Sequence, residues 1–280
     1  MKRIVLFATI ASLFFIASCS DSNQLTVMSY NIRYDTPKDG ENAWDLRKQA
    51  TIAMLADVKP DVFGVQEALS NQLDYISAEA PDYKNVGVGR DDGISKGEHM
   101  SIFWNARTVE MVDWGTYWLS ETPDVPSYGW DAACRRTATW ALMKYKRNGK
   151  MFFFVNTHLD HKGVEARKNG LQLLVDSIAS MNPNGYPMVL TGDFNVLPDD
   201  ECLTDLDKQM ESARKIAKVS DDKSSYHGWG TRTPEEKYVI DYIYVSGFAS
   251  VPLFYTDDKP YAERQYVSDH YPIVSVLEYK

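Results

Sequence analysis

The apolar run Pro187-Met188-Val189-Leu190-Thr191-Gly192 stops at Asp193, and the carboxamide of Asn195 follows two positions later. Strand side chains alternate with period 2, so Asp193 and Asn195 leave the strand end on the same side. A carboxylate and a carboxamide aimed together can hold a water and take its proton. One such pair is a weak signal, because Asp and Asn also collect at strand ends as turn formers. Repetition makes it a constraint. Asn31, Glu67, His158, Asp241 and the pair Asp269-His270 also stand at or near the ends of apolar runs. Sites in α/β proteins gather where strand ends meet loops, so these positions are expected to converge.

From Leu25 onward the chain shows no long linker, low-complexity tract or repeat, which predicts one domain over residues 25–280. With 44% hydrophobic and 12% aromatic residues in 280, it can bury a large core, and disorder is excluded. Strands are expected at Leu25 to Tyr30, Asp61 to Val65, Ser101 to Trp104, Thr108 to Val112, Thr137 to Tyr145, Met151 to Asn156, Met188 to Thr191, Tyr238 to Val245 and Tyr271 to Glu278. Helical spacing of Leu46, Ala50, Ala53 and Met54 predicts a helix capped by Asp45 and stopped at Pro60. Ser70 is expected to cap a short helix that ends before Pro81. Gly163 to Met181 reads as a long amphipathic helix with Leu171, Leu174, Val175 and Ile178 inward, and Pro198-Asp199-Asp200-Glu201 as the opening of another. Helices interleave with strands, but strand-to-strand runs occur as well. That predicts a mixed-sheet α/β sandwich rather than a doubly wound parallel sheet.

Lys2 and Arg3 precede the apolar run Ile4 to Ile16, which is too short to span a bilayer and reads as a signal-peptide core. Ile16-Ala17-Ser18-Cys19 resembles a bacterial lipobox. The resemblance implies removal of residues 1–18, a lipid on Cys19 that tethers the protein to a membrane of the cell envelope, and a polar tether over residues 19–24. Ordinary secretion is the alternative. The net charge of −9 would become about −11 after processing, which gives no long-range attraction to polyanions. Nucleic acid is therefore possible as a partner but not favoured, and nothing points to a protein partner. Cys134 and Cys202 remain after processing. They could pair, and neither has a metal-site or nucleophile context, so both read as structural.

Six ordered stretches, Met28-Ser29-Tyr30-Asn31, Val65-Gln66-Glu67, Asn156-Thr157-His158-Leu159, Gly192-Asp193-Phe194-Asn195, Ile240-Asp241-Tyr242-Ile243 and Ser268-Asp269-His270, resemble the motifs of the endonuclease/exonuclease/phosphatase superfamily. The resemblance spans Leu25 to Lys280 and looks closest to an exported bacterial subgroup. It implies a DNase I-like α/β fold, a two-sheet sandwich of four layers with mixed sheets flanked by helices. It also implies a metal-dependent hydrolase of phosphate esters that uses a single activated water.

The same resemblance implies the residue roles. Glu67 is the first metal ligand, and Asn31 and Asp269 complete or neighbour the metal site. Magnesium is the expected ion, with manganese as a substitute, because a hard cation takes oxygen ligands. Asp193 is the general base and Asn195 orients the water. His270 stabilises the phosphoryl group with Asp241 behind it, and His158 contacts the scissile phosphate. Among further substrate-binding candidates, one of Arg135 and Arg136 should face the site, with His161, His99 and His227 lining it. A zinc site at His158-x-x-His161 ranks below magnesium. The favoured substrate is a small phosphorylated compound, such as a sugar phosphate, cleaved as a monoester. A phosphodiesterase of nuclease or sphingomyelinase type is the alternative, and a tethered protein without catalysis is a minor one.

Overall fold

Residues 22–233 and 235–280 are described by the computed structural model. The signal-peptide reading and Cys19 lie outside these residues. The strand sequences dictate two sheets buried on both faces. Val27, Val62 and Phe154 point into the space between the sheets, while their neighbours Met28, Phe63 and Val155 point to the outer layers. Burial on both faces explains why the strands read as almost continuous apolar runs.

The first sheet contains β1 (Gln24–Asn31), β2 (Val62–Gln66), β3 (Tyr83–Val86), β4 (Ile102–Asn105), β11 (Ser250–Thr256) and β12 (Ile273–Glu278), in the order β11-β12-β1-β2-β4-β3. The second contains β5 (Val109–Trp118), β6 (Thr137–Tyr145), β7 (Met151–His158), β8 (Met188–Asp193), β9 (Glu211–Ser212) and β10 (Asp241–Ser246), in the order β5-β6-β7-β8-β10-β9. Each sheet has one parallel pair at its centre, β1 with β2 and β7 with β8, within antiparallel neighbours. Helices α1 (Trp44–Val58) and α2 (Ser70–Glu79) cover the first sheet, and α3 (Val164–Met181) covers the second. The architecture is the expected two-sheet α/β sandwich in four layers.

A polar layer pins the sheets together just below the site. Gln66 Nε2 donates to Asn156 Oδ1 at 2.7 Å, Asn156 Nδ2 donates to Val65 O at 2.7 Å, and Thr191 Oγ1 reaches Asn156 Oδ1 at 3.1 Å. Gly64 makes room for it: a Cβ there would lie 2.3 Å from Asn156 Oδ1. Buried amides in mutual register tolerate little sliding, which sets the relative height of the two sheets' ends.

Several local expectations are corrected. Asp45 does not cap α1, which starts at Trp44 with no side-chain cap, and Leu46 faces solvent. The buried face holds Arg47 instead, because carbonyls of Asn42, Ile32, Val267 and Arg33 satisfy its guanidinium at 2.7–3.0 Å. Ser70 does not cap α2. Gln72 does that work, its Oε1 accepting from the Leu69 N–H at 3.0 Å. The segment after Pro198 forms only a 3-10 turn, Glu201–Leu203, and the strand expected from Tyr238 starts at Asp241. Strands β3, β9 and β11 and the short helix α4 (Ala213–Ile216) had no clear sequence signal.

Candidate active site

Strand register brings the polar ends together. Asp193 at the end of β8 pairs with His158 at the end of β7 on one side and with Asp241 at the start of β10 on the other. In the first sheet Asn31 and Gln66 pair at the ends of β1 and β2, and Glu67 follows in a left-handed backbone conformation, φ 65°. A non-glycine residue held there carries strain that the surroundings must offset, which is common at functional positions. Asn195 is also left-handed, φ 54°, with its N–H donating to Asp193 Oδ1 at 2.9 Å.

Asn31 joins the sheets at the site. Its Nδ2 donates to Glu67 Oε1 at 3.1 Å and to Asp193 Oδ2 at 3.0 Å, while its Oδ1 accepts from the Arg33 N–H at 3.0 Å. Asn31 therefore turns its nitrogen, not its oxygen, toward the acids. This is a departure from the oxygen ligand implied by resemblance. Asn195 Nδ2 donates to His158 Nε2 and to Leu159 O, both at 3.0 Å.

The two histidines are driven to opposite protonation states. Burial, then the charges of Arg136 and Arg90, push His158 well below the usual histidine range, so it is neutral. Burial also opposes charging of His270, but Asp241, whose Oδ2 accepts from Nδ1 at 2.8 Å, together with Asp193 and Asp269, raises it to about 10. His270 Nε2 then lies 3.7 Å from Asp193 Oδ2. Burial and the facing Asp241 push Asp193 up to about 7, against the pull of His270. Titratable neighbours with values driven apart mark acid and base roles.

The residues fit a hard divalent cation. Glu67, His158 and Asp193 offer ligand atoms within 4.8 Å of one another. Burial and then the Glu67 charge raise the Asp269 carboxyl, a repulsion between acids that a cation relieves. In the protein itself Arg33 stands near both, 3.8 Å from Glu67 and 4.0 Å from Asp269. Among the described residues His158 and His161 share no ligand cluster, since His161 is exposed and its Nδ1 accepts from Arg136 Nη2 at 3.0 Å. The His158-x-x-His161 pair therefore has no geometry behind it, and His161 groups instead with Cys134 and Asp160.

These side chains floor a cavity of about 750 Å³ that also includes Glu98, Arg136, His161 and Asp269. Arg136 is the member of its pair that faces the site, with Nε bonded to Asp160 at 3.2 Å and Nη1 buried without a partner among the described residues. Arg135 instead lies over the Tyr128 ring and 3.5 Å from Asp91. His99 and His227 are also elsewhere. His99 rests on the Ala68 carbonyl at 3.2 Å, and His227 packs between Tyr266 and Tyr271 with centroids 4.4 and 4.1 Å away. Both are loop residues absorbed by packing. Cys134 lines the cavity rather than serving a purely structural role, and Cys134 and Cys202 are both free.

The sequence reading missed Arg33, Arg90, Glu98, Arg232, Tyr226 and Tyr238 on the cavity wall. All lie in loops or loop-like segments where no periodicity points the side chain. Arg47 was missed as a support, and there a signal existed: an arginine at a position that helical spacing assigns to the core.

The family model described as Endonuclease/Exonuclease/phosphatase family matches residues 28–270. A solved endonuclease/exonuclease/phosphatase structure from Bacteroides vulgatus is 36% identical, with TM-score 0.87, over 92% of this chain and 99% of that one. A mannosyl-6-phosphatase from Bacteroides thetaiotaomicron is 32% identical, with TM-score 0.86, over 91% of this chain and all 100% of that one. The human Nocturnin catalytic domain, 18% identical with TM-score 0.71 over 92% and 94%, shares the fold. The chain belongs to the endonuclease/exonuclease/phosphatase family and is a divalent-metal-dependent phosphoric ester hydrolase.

Proposed function

We propose that the protein is a magnesium-dependent phosphomonoesterase acting on a small phosphorylated compound, a sugar phosphate in the first instance, outside the cytoplasm. The observation that carries the reading is the line Asp241–His270–Asp193–Asn31–Glu67, of which His270, Asp193 and Glu67 line the cavity of about 750 Å³. The mannosyl-6-phosphatase likeness over nearly the whole of both chains supports the monoester. The signal-like segment and Cys19 support export and lipid anchoring.

Glu67 and Asp269, with Asp193 close by, would hold the cation. When bound, magnesium supplies charge neutralisation at the phosphoryl oxygens. The chain's own residues do the rest. Asp193 Oδ2 takes the proton of the attacking water, and a base near neutrality suits that transfer. Asn195, tied to Asp193 through its backbone N–H and to neutral His158 through its amide, keeps the base and its surroundings in register. Protonated His270 donates from Nε2 to a phosphoryl oxygen as charge develops there, held by Asp241. Arg136, which lines the same cavity, supplies a further charged donor.

The test is release of inorganic phosphate from a panel of phosphomonoesters and diesters with magnesium. Phosphate from sugar phosphates supports the reading. Cleavage confined to diesters, with phosphate left on a product, replaces it with a phosphodiesterase.

A further inference from the structure

The cavity wall carries balanced charge. Its carboxylates are Glu67, Glu98, Asp193 and Asp269, and its guanidiniums are Arg33, Arg90, Arg136 and Arg232. Three of those guanidiniums are already matched to acids. Arg33 is bidentate on Asp39 at 3.0 Å, Arg136 sits on Asp160, and Arg90 is bidentate on Glu98. One phosphoryl group and its cation can be accommodated at the acidic end.

Arg90 and Glu98 have no part in the hydrolytic steps above. Arg90 Nη1 and Nη2 donate to Glu98 Oε2 and Oε1, both at 2.7 Å, with side chains only 12% and 16% exposed. The loop that carries them is built to hold still. The Arg90 N–H donates to Glu98 O at 3.0 Å, and Asp92 Oδ1 accepts from the N–H groups of Ile94, Ser95 and Lys96 at 2.8–2.9 Å. Trp118 Nε1 clamps the Arg90 carbonyl at 2.8 Å. Gly97 is required in this loop, with φ 81° and a Cβ position 2.6 Å from Asp91 Oδ2.

A carboxylate that accepts one bond on each oxygen keeps a lone pair on each, spaced for two adjacent hydroxyl donors. Arg90 and Arg136 line the same cavity wall as Glu98. Tyr34, Tyr226 and Tyr238 add ring surface to the same cavity, with Arg232 4.3 Å over the Tyr238 ring. Rigid paired polar groups together with aromatic surface suit a hydroxylated ring, and a preorganised site loses little on binding it.

We propose that the Arg90–Glu98 pair recognises the leaving group, reading adjacent hydroxyls of a neutral sugar. The substrate class is then the monophosphate of a neutral polyhydroxylated alcohol. The inference rests on the phosphomonoesterase reading and adds the residues that choose the alcohol.

The experiment compares kcat/KM of the full-length wild type, Glu98→Gln and Arg90→Lys on a hexose 6-phosphate, its single-deoxy analogues and an aryl phosphate. In both variants the hexose-to-aryl ratio of kcat/KM should fall about tenfold or more, carried by KM. Removing the recognised hydroxyl should lower wild-type kcat/KM and have a much smaller effect in Glu98→Gln. An unchanged ratio in Arg90→Lys, which keeps a cation beside Glu98 and so protects folding, overturns the inference while the phosphatase reading stands. Wild type that releases no phosphate from any monoester overturns that reading and the inference with it.

Discussion

Asn31 Nδ2 lies 3.0 Å from Asp193 Oδ2, so a residue at the end of one sheet holds the oxygen of a carboxylate at the end of the other. The other oxygen, Oδ1, is occupied by the Asn195 N–H. Oδ2 is therefore the oxygen that faces His158 and His270, at 3.5 and 3.7 Å, and the one available for proton transfer. Asp193→Asn should lower kcat on an aryl phosphate by about 10²–10⁴-fold. Circular dichroism should show the fold retained, and near-wild-type turnover would remove Asp193 from the role of base.

His270 owes its positive charge to Asp241, and the stability effect has a definite sign. Its folded-state value, about 10, is raised above the ordinary 6.5. The stabilisation is thus fully present below about 6.5 and is lost as pH rises through about 10. Asp241→Asn should destabilise the metal-free protein most at acidic to neutral pH, with the gap from wild type closing above about 10. Urea midpoints across pH check this, and NMR titration of His270 should show its pKa falling toward the ordinary range.

Glu67 supplies a carboxylate to the proposed cation site from a strained backbone position. Exhaustive chelation should abolish activity, and added magnesium should restore it. In Glu67→Gln the magnesium concentration for half-maximal activity should rise about 10- to 100-fold. Activity that survives chelation would contradict the metal's role here.

Arg47 binds the carbonyls of Ile32, Arg33 and Val267, which flank Asn31 on one side and Asp269 on the other. Arg47→Met keeps the volume and strands those carbonyls. A loss of about 1–3 kcal/mol is expected in urea unfolding, since an unsatisfied buried acceptor costs that much. Because both site loops lose a shared anchor, kcat should fall too, although Arg47 touches no substrate.

Gly64→Ala probes the polar layer between the sheets. The added Cβ would fall 2.3 Å from Asn156 Oδ1 and 2.4 Å from Thr191 Oγ1. Overpacking at such a site should cost about 1–3 kcal/mol in urea unfolding. A neutral result would show that the two sheets separate more easily than the network implies.

The chain's own pattern determined the sandwich and its central residues. Apolar runs that end in Asn31, His158 and Asp193 had to become strands buried on both faces, because nothing else covers so much continuous apolar surface. Strand ends then place polar groups at one edge, so the site's floor is legible in the sequence. Three kinds of feature were decided only by tertiary structure. The loops bearing Arg90, Glu98 and Arg232 have no repeating period, so which side chains enter the cavity depends on loop closure. Arg47 is buried because four carbonyls from distant segments meet it, a condition that no local window contains. The opposite charge states of His158 and His270 depend on which one packs against Asp241 and which one lies near Arg136. Sequence sets which groups exist and which face of a strand they take. Packing between two sheets sets the few ångströms of distance on which their chemistry depends.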